Sequence, residues 1–188
     1  MEVASILLGI GLSAAVGFRL FIPFLLMSIA SRFGLMELSS GFDWLASTPA
    51  LILLSTATVL EVGAYFIPFF DNLLDTIATP AAVVCGTIVM ASTVVEMDPL
   101  IKWTMAVIAG GGAAGLIKGA TATTRVASST TTGGLGNPVV ATVETGGSLV
   151  LTVLAIFIPI MAGVAAVLII VYLIRKWRQF KKWRSGSA

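Results

Sequence analysis

Long runs of apolar residues, interrupted at irregular intervals by single charges and by small polar clusters, set the plan of this chain. The run from Val3 continues through Gly17, Phe18 and Arg19 into LFIPFLLMSIA and ends before Arg32. Pro23 would remove the helical hydrogen bond to the Arg19 carbonyl, which predicts a kink or break within residues 17–23. A loop follows from Ser31 to Pro49, with Phe42 and Trp44 suited to a membrane interface. Pro49 opens a second helix in its first turn, where proline is tolerated. That helix carries Glu61 deep in an apolar run. The stretch FFDNLLDTIATP predicts a short surface helix with Asp71 and Asp75 on one face. Those two carboxylates could bind a hard cation, although a solvated polar face explains them more simply.

Pro80 to Val95 reads as a third span, and Ile101 to Leu116 as a fourth, anchored by Lys102 and Trp103. The stretch from Ala109 to Pro138 then runs through glycines into threonines, serines, Lys118 and Arg125. On a continued helix Lys118, Thr121 and Arg125 share a face, and basic groups there would suit an anion, a carboxylate partner or a lipid phosphate. GGLGNP ends this stretch. A helix bearing Glu144 follows, and from Thr145 to Ile174 no residue is charged. With Pro159 near its middle, that length is one kinked helix or a tight hairpin. Small residues recur at i+4 in Gly9, Ser13 and Gly17, and again in Gly111, Gly115 and Gly119, predicting close helix approach.

Composition fixes the class. Of 188 residues, 57% are hydrophobic and only 11% charged, with mean hydropathy +1.04. Soluble domains carry about 25% charged residues. The chain is therefore expected to be an all-α, polytopic transmembrane helical bundle of about six membrane segments, with five as the other count. One transmembrane domain would span 1–178, followed by a basic tail at 179–188. Six of the eleven basic residues lie between Arg175 and Arg184, which places the C-terminus in the cytoplasm and anionic lipid headgroups against the tail. The expected location is a bacterial inner membrane. The N-terminus has Glu2 where a signal peptide would be basic, so it is read as a retained first span.

Several features recur in the same order: a small-residue stripe with a basic residue, a polar loop ending in proline, a glutamate-bearing helix, and an aromatic-Ile-Pro. This order is compatible with an inverted 3+3 repeat over 3–98 and 99–176, with broken helices, as in many secondary transporters. In that scheme the stretch at 109–138 is the second broken helix. Loop charges divide evenly between five and six spans.

The segments GFRLFIPFLL at 17–26, VLEVGAYFIPFFDNLLD at 59–75 and GNPVVATVE at 136–144 resemble a bacterial family of small integral membrane proteins classified as a domain of unknown function, the DUF4126 type. The chain departs from that pattern near Tyr65, where members carry a charged residue. The resemblance implies a membrane fold and carries no activity.

Charge at membrane depth costs about 2.5–3.5 kcal/mol on the most lenient scale, so Arg19, Glu61, Lys118, Arg125 and Glu144 are the candidate substrate-binding or coupling residues. The simpler reading pairs Arg19 with Glu144, and Glu61 with Lys118 or Arg125, as internal locks. Two functions follow: a transporter or channel-like permease for a small ion, metabolite or lipid-linked phosphate, or a non-catalytic subunit of a larger membrane complex docked through its glycine stripes. A homo-oligomer is a further option. Catalysis is not expected, since there is no histidine and neither GxSxG nor GxxxxGK[ST] is present. With a lone Cys85, no metal site and no cofactor are expected, and no nucleic acid is an expected partner.

Overall fold

The computed structural model of the chain describes residues 2–65, 68–95 and 97–185, and leaves aside the side chains of 2, 68–75 and 180–185. Helix α1 (Glu2–Phe18) is followed after a break by α2 (Phe21–Arg32), then by a 3-10 turn (Asp43–Ala46) and α3 (Thr48–Ala64). Next come α4 (Pro68–Thr93) and α5 (Pro99–Met105), a π-helical segment (Ala106–Gly111), and α6 (Gly112–Thr132). Helices α7 (Asn137–Phe157) and α8 (Pro159–Ser185) complete the order. Among the described residues, four segments are long and apolar enough to cross a membrane: Thr76–Thr93, Pro99–Thr132, Asn137–Phe157 and Pro159–Gln179. Val3–Phe18, Phe21–Arg32 and Thr48–Ala64 are shorter apolar helices.

Helix α1 is the axis of the bundle. It packs against α4, α6, α7 and α8, and residues 11–17 are buried without interruption. A helix surrounded on all sides has no polar face to offer, which accounts for its small and apolar residues all round. Its glycines allow close crossing. A Cβ on Gly17 would lie 2.7 Å from the Ala114 carbonyl oxygen of α6, and one on Gly9 would collide with Met90 of α4. Between those points Ser13 donates to the Gly86 carbonyl of α4 at 2.9 Å. Ser148 of α7 donates to the Ala15 carbonyl at 3.0 Å. Two buried hydroxyls thus find carbonyl partners on a neighbouring helix, as burial demands.

Local chemistry sets the helix ends. At the C-terminus of α2, Gly34 has φ +68°, the Leu35 amide donates to Ala30 and the Gly34 amide to Ser31. This is the Schellman arrangement that satisfies terminal carbonyls. Ser47 accepts from the Ala50 amide and caps α3, with Pro49 in the first turn as expected. Asp98 caps α5 in the same way, through the amides of Leu100 and Ile101. Gly133 and Gly134, both at positive φ, end α6.

Two segmentations differ from the sequence reading. No boundary stands at Pro80: α4 runs through it from Pro68 to Thr93. The proline ring is exposed and displaces no neighbouring helix, so one lost ladder bond is tolerated. Asp71 and Asp75 therefore sit on the first turns of this long helix, with their side chains outside the described residues. The stretch beginning at Ala109 is not a broken helix either. Pro99–Thr132 is one continuous helix of 34 residues, about 51 Å long at 1.5 Å per residue, and its irregularity is the π turn. The interruption expected near Pro159 is present: Ile158, with φ of −138° and ψ of 69°, separates α7 from α8.

Candidate functional site

The expected break in the first long run lies immediately after Arg19. The Arg19 amide still bonds the Ala15 carbonyl, but the next two amides leave the helical ladder. Leu20 donates to Glu61 Oε1 at 2.8 Å and Phe21 to Glu61 Oε2 at 3.0 Å. Pro23 has no amide to donate. One carboxylate from α3 thus stands in for two helical carbonyls and caps the N-terminus of α2, where negative charge is favoured. No ion pair joins Glu61 to Lys118 or Arg125 as the sequence suggested; both of its oxygens are taken by the amides at the break.

Arg19 reaches across to α7. Its Nη2 donates to the Ala141 carbonyl at 2.9 Å and lies 3.7 Å from Glu144 Oε2, while Nε donates to Thr145 Oγ1 at 3.1 Å. The expected Arg19–Glu144 pairing is present. Glu144 is also gripped by Arg125 of α6, through Nε to Oε1 at 3.1 Å and through Nη2 to Oε2. That two-pronged contact is the geometry in which a guanidinium binds a carboxylate most strongly.

Tyr65, at the C-terminal end of α3, gathers the cations. The guanidinium carbons of Arg19 and Arg125 lie 4.0 and 4.2 Å from its ring centroid, and Lys118 Nζ lies 5.2 Å away. Lys118 also donates to the Tyr65 hydroxyl at 3.1 Å. An aromatic face attracts cations with its quadrupole, more strongly when water is excluded. Water is largely excluded here: Arg19 is 1% exposed, Tyr65, Lys118, Arg125 and Glu144 are each 2%, and Glu61 is 8%. One donor stands out. Arg19 Nη1 is buried and has no hydrogen-bond partner among the described residues.

The five ionisable residues singled out from the sequence therefore converge on one place from the α1–α2 junction, α3, α6 and α7. Tyr65 and Thr145 were missed. Tyr65 had a signal, since it lies four residues after Glu61 and shares its helical face. Thr145 had none beyond adjacency to Glu144. Thr121 is half-buried and bonds its own helix at the Lys118 carbonyl. The packing glycines lie nearby: Gly111 and Gly115 of the long helix close on Val83 of α4, whereas Gly119 has open space beside it.

No curated protein and no solved structure matches the chain. A family model does, over residues 6–179, which takes in every residue of this cluster. The chain belongs to the family described as Domain of unknown function (DUF4126).

Proposed function

We propose that the protein is a small multi-pass permease whose buried cluster at the α1–α2 break is its solute site. The observation that carries this reading is the convergence itself. Among the described residues, three cations and two carboxylates from four separate helical elements meet beside a helix break, and Arg19 Nη1 has no hydrogen-bond partner there. Burying charge costs more than burying apolar groups of the same volume, and intramembrane ionisable residues at broken helices mark solute pathways. On this reading the chain crosses a bacterial inner membrane six times, with its basic end in the cytoplasm. The helices bearing Glu61 and Glu144, each opened by a proline in its first turn, then stand as counterparts in two inverted halves. The solute is a small ion, a metabolite or a lipid-linked phosphate. Purified protein in liposomes, screened against solutes of each class, should show flux that falls at least tenfold in Arg19→Gln. Absence of flux across the screen would overturn the proposal.

A second reading, an accessory subunit of a larger membrane complex, is favoured by α3. This helix packs mainly on α2 and the 3-10 turn, and its outer side lines an open apolar groove at Thr48, Pro49, Ile52, Leu53, Thr56, Ala57 and Leu60. The glycine stripes argue less for it, because Gly9, Gly17, Gly111 and Gly115 already meet helices of their own chain. A stoichiometric partner recovered from native membranes and lost on Ala57→Trp would establish this role. Recovery of the chain alone would exclude it.

A further inference from the structure

Helix α3 carries Glu61 to the break on its inner side, while its outer side lines the open groove. Two rows at i+4 spacing run along that side, one from Thr48 to Leu60 and one from Pro49 to Ala57. Thr56 and Ala57 are the small members of the two rows and leave a furrow beyond the bulkier Ile52 and Leu53. Thr56 Oγ1 donates to the Ile52 carbonyl at 2.9 Å, so its proton is given to its own helix. The furrow is apolar from Pro49 to Leu60. Its length, twelve residue steps, is about 18 Å, close to the ~15 Å depth of one leaflet's hydrocarbon. The polar end is Thr48, whose hydroxyl accepts from Arg32 Nη1 at 3.0 Å. The Arg32 side chain is exposed. Glu37 and Asp43 of the following loop are exposed too, and among the described residues neither forms an ion pair with it. The other cation at this end, Lys102, is half-buried, bonded to Ser39 and set over the Phe42 ring. Phe33, Leu35 and Trp44 of the same loop are exposed, as aromatic and apolar side chains are at a membrane interface.

We propose that this groove binds one anionic glycerophospholipid, its phosphodiester on Arg32 and Thr48 and one acyl chain laid along α3 as far as Leu60. A cation at one end and an apolar lining for a leaflet's depth beyond it match that amphiphile. A guanidinium gives a phosphate two parallel N–H bonds, and Arg32 has five donors, of which Thr48 takes one. The Thr48 hydroxyl, which accepts that bond, has its own proton to give to a phosphate oxygen. A helix from a second copy or from another protein fits the face less well. Helix packing in lipid draws on small residues and interhelical hydrogen bonds, whereas here Ile52, Leu53 and Leu60 project and the Thr56 proton is turned inward. The bound chain braces α3 on the side away from Glu61, where α2 and the 3-10 turn do not reach. The site stands whether or not the buried cluster moves a solute, and it is distinct from the headgroups expected at the basic tail.

The test photolabels the full chain in nanodiscs with phosphatidylglycerol that carries a diazirine in one acyl chain, and maps the adducts by peptide mass spectrometry. Labelling should concentrate on residues 49–60. Unlabelled phosphatidylglycerol should compete about fivefold better than phosphatidylcholine, the preference expected of one arginine at an anionic headgroup. Arg32 is exposed, so Arg32→Gln leaves the bundle intact; it should erase that preference while α3 remains the labelled helix. Arg32→Lys keeps the charge without the fork and should retain part of the preference. Ala57→Trp fills the furrow and should remove α3 labelling whichever lipid competes. Lys181→Gln/Lys182→Gln weakens the basic tail and should leave α3 labelling as it was. Labelling as strong on the exposed side of α8 as on α3, equal competition by the two lipids, or an Arg32→Gln protein with the unaltered preference would overturn the proposal. So would cross-linking of α3 to a second copy or to a co-purified protein in place of lipid.

Discussion

Removing the Glu61 carboxylate should unfasten the start of α2. Its two oxygens accept the amides of Leu20 and Phe21 at 2.8 and 3.0 Å, and neither amide has a helical carbonyl to return to without remaking the break. Hydrogen bonds to a charged group contribute about 1.5–3 kcal/mol each, and an unsatisfied buried donor costs a similar amount. Glu61→Ala removes both bonds and should destabilise the fold by about 3–6 kcal/mol. Glu61→Gln keeps one acceptor oxygen but turns an NH2 group toward the other amide, so about half of that loss is expected. For a chain of this size 1 kcal/mol corresponds to about 2–4 °C in Tm. Melting in detergent, followed by tryptophan fluorescence, should therefore show the alanine protein about 6–24 °C below the unaltered one. Hydrogen exchange locates the effect, because amides at residues 20 and 21 should exchange faster while those in the middle of α7 do not. A melt within 2 °C of the unaltered protein together with unchanged exchange at the break, for the alanine variant, would refute the capping argument.

Other perturbations separate the remaining forces. Arg125→Ala takes the two-pronged partner from Glu144 in a dry site and leaves it the 3.7 Å contact with Arg19, so it should cost about 3–5 kcal/mol, with Arg125→Ala/Glu144→Ala recovering part of it; equal Tm for the single and double variants would contradict the pairing. Gly86→Ala puts a Cβ 2.5 Å from Ala114 and 2.7 Å from the Gly110 carbonyl oxygen, and should destabilise by about 1–3 kcal/mol. Gly119→Ala meets nothing within 4 Å and should raise stability by up to about 1 kcal/mol through helix propensity; paired melts of these two proteins check both. Tyr65→Phe keeps the ring and loses the Lys118 partner, so it should be milder than Tyr65→Leu, which loses the cation–π contacts as well. Thermal melts that rank the two in the opposite order would discount the ring.

The class of the molecule and the membership of its central cluster were legible in the sequence, because charge is rare in this chain and a rare charge far from a helix end needs a partner. The break after Arg19 was legible for a related reason: Pro23 removes a ladder bond and Glu61 has no polar surroundings of its own. What the sequence hid is the partner that Glu61 takes. Opposite charges suggest ion pairs, yet a helix break exposes amides that compete equally well for a carboxylate, and Glu61 goes to them. Segment boundaries were hidden differently. Asp71, Asp75 and Pro80 mark a loop or interface in a hydropathy pattern, but helix α4 carries all three, since an exposed proline and charges in the first turns of a long helix break nothing. The hydroxyl-rich run after Lys118 looked like a discontinuity, whereas its threonines return their hydroxyls to carbonyls three or four residues back and remain helical.

The π turn at Ala106–Gly111 has a bearing on how this chain tolerates changes in length. A π turn holds one residue more than the α-turn it replaces, so everything after it is rotated by about 100° relative to a regular helix. Lys118 begins seven residues beyond Gly111, within the same rod. Deleting one residue from the turn would restore regular winding and swing Lys118 and Arg125 off the face that meets Tyr65 and Glu144, without altering a single residue of the cluster. The turn acts as the reading frame of the site: the cluster is kept by the number of residues upstream as much as by their identity.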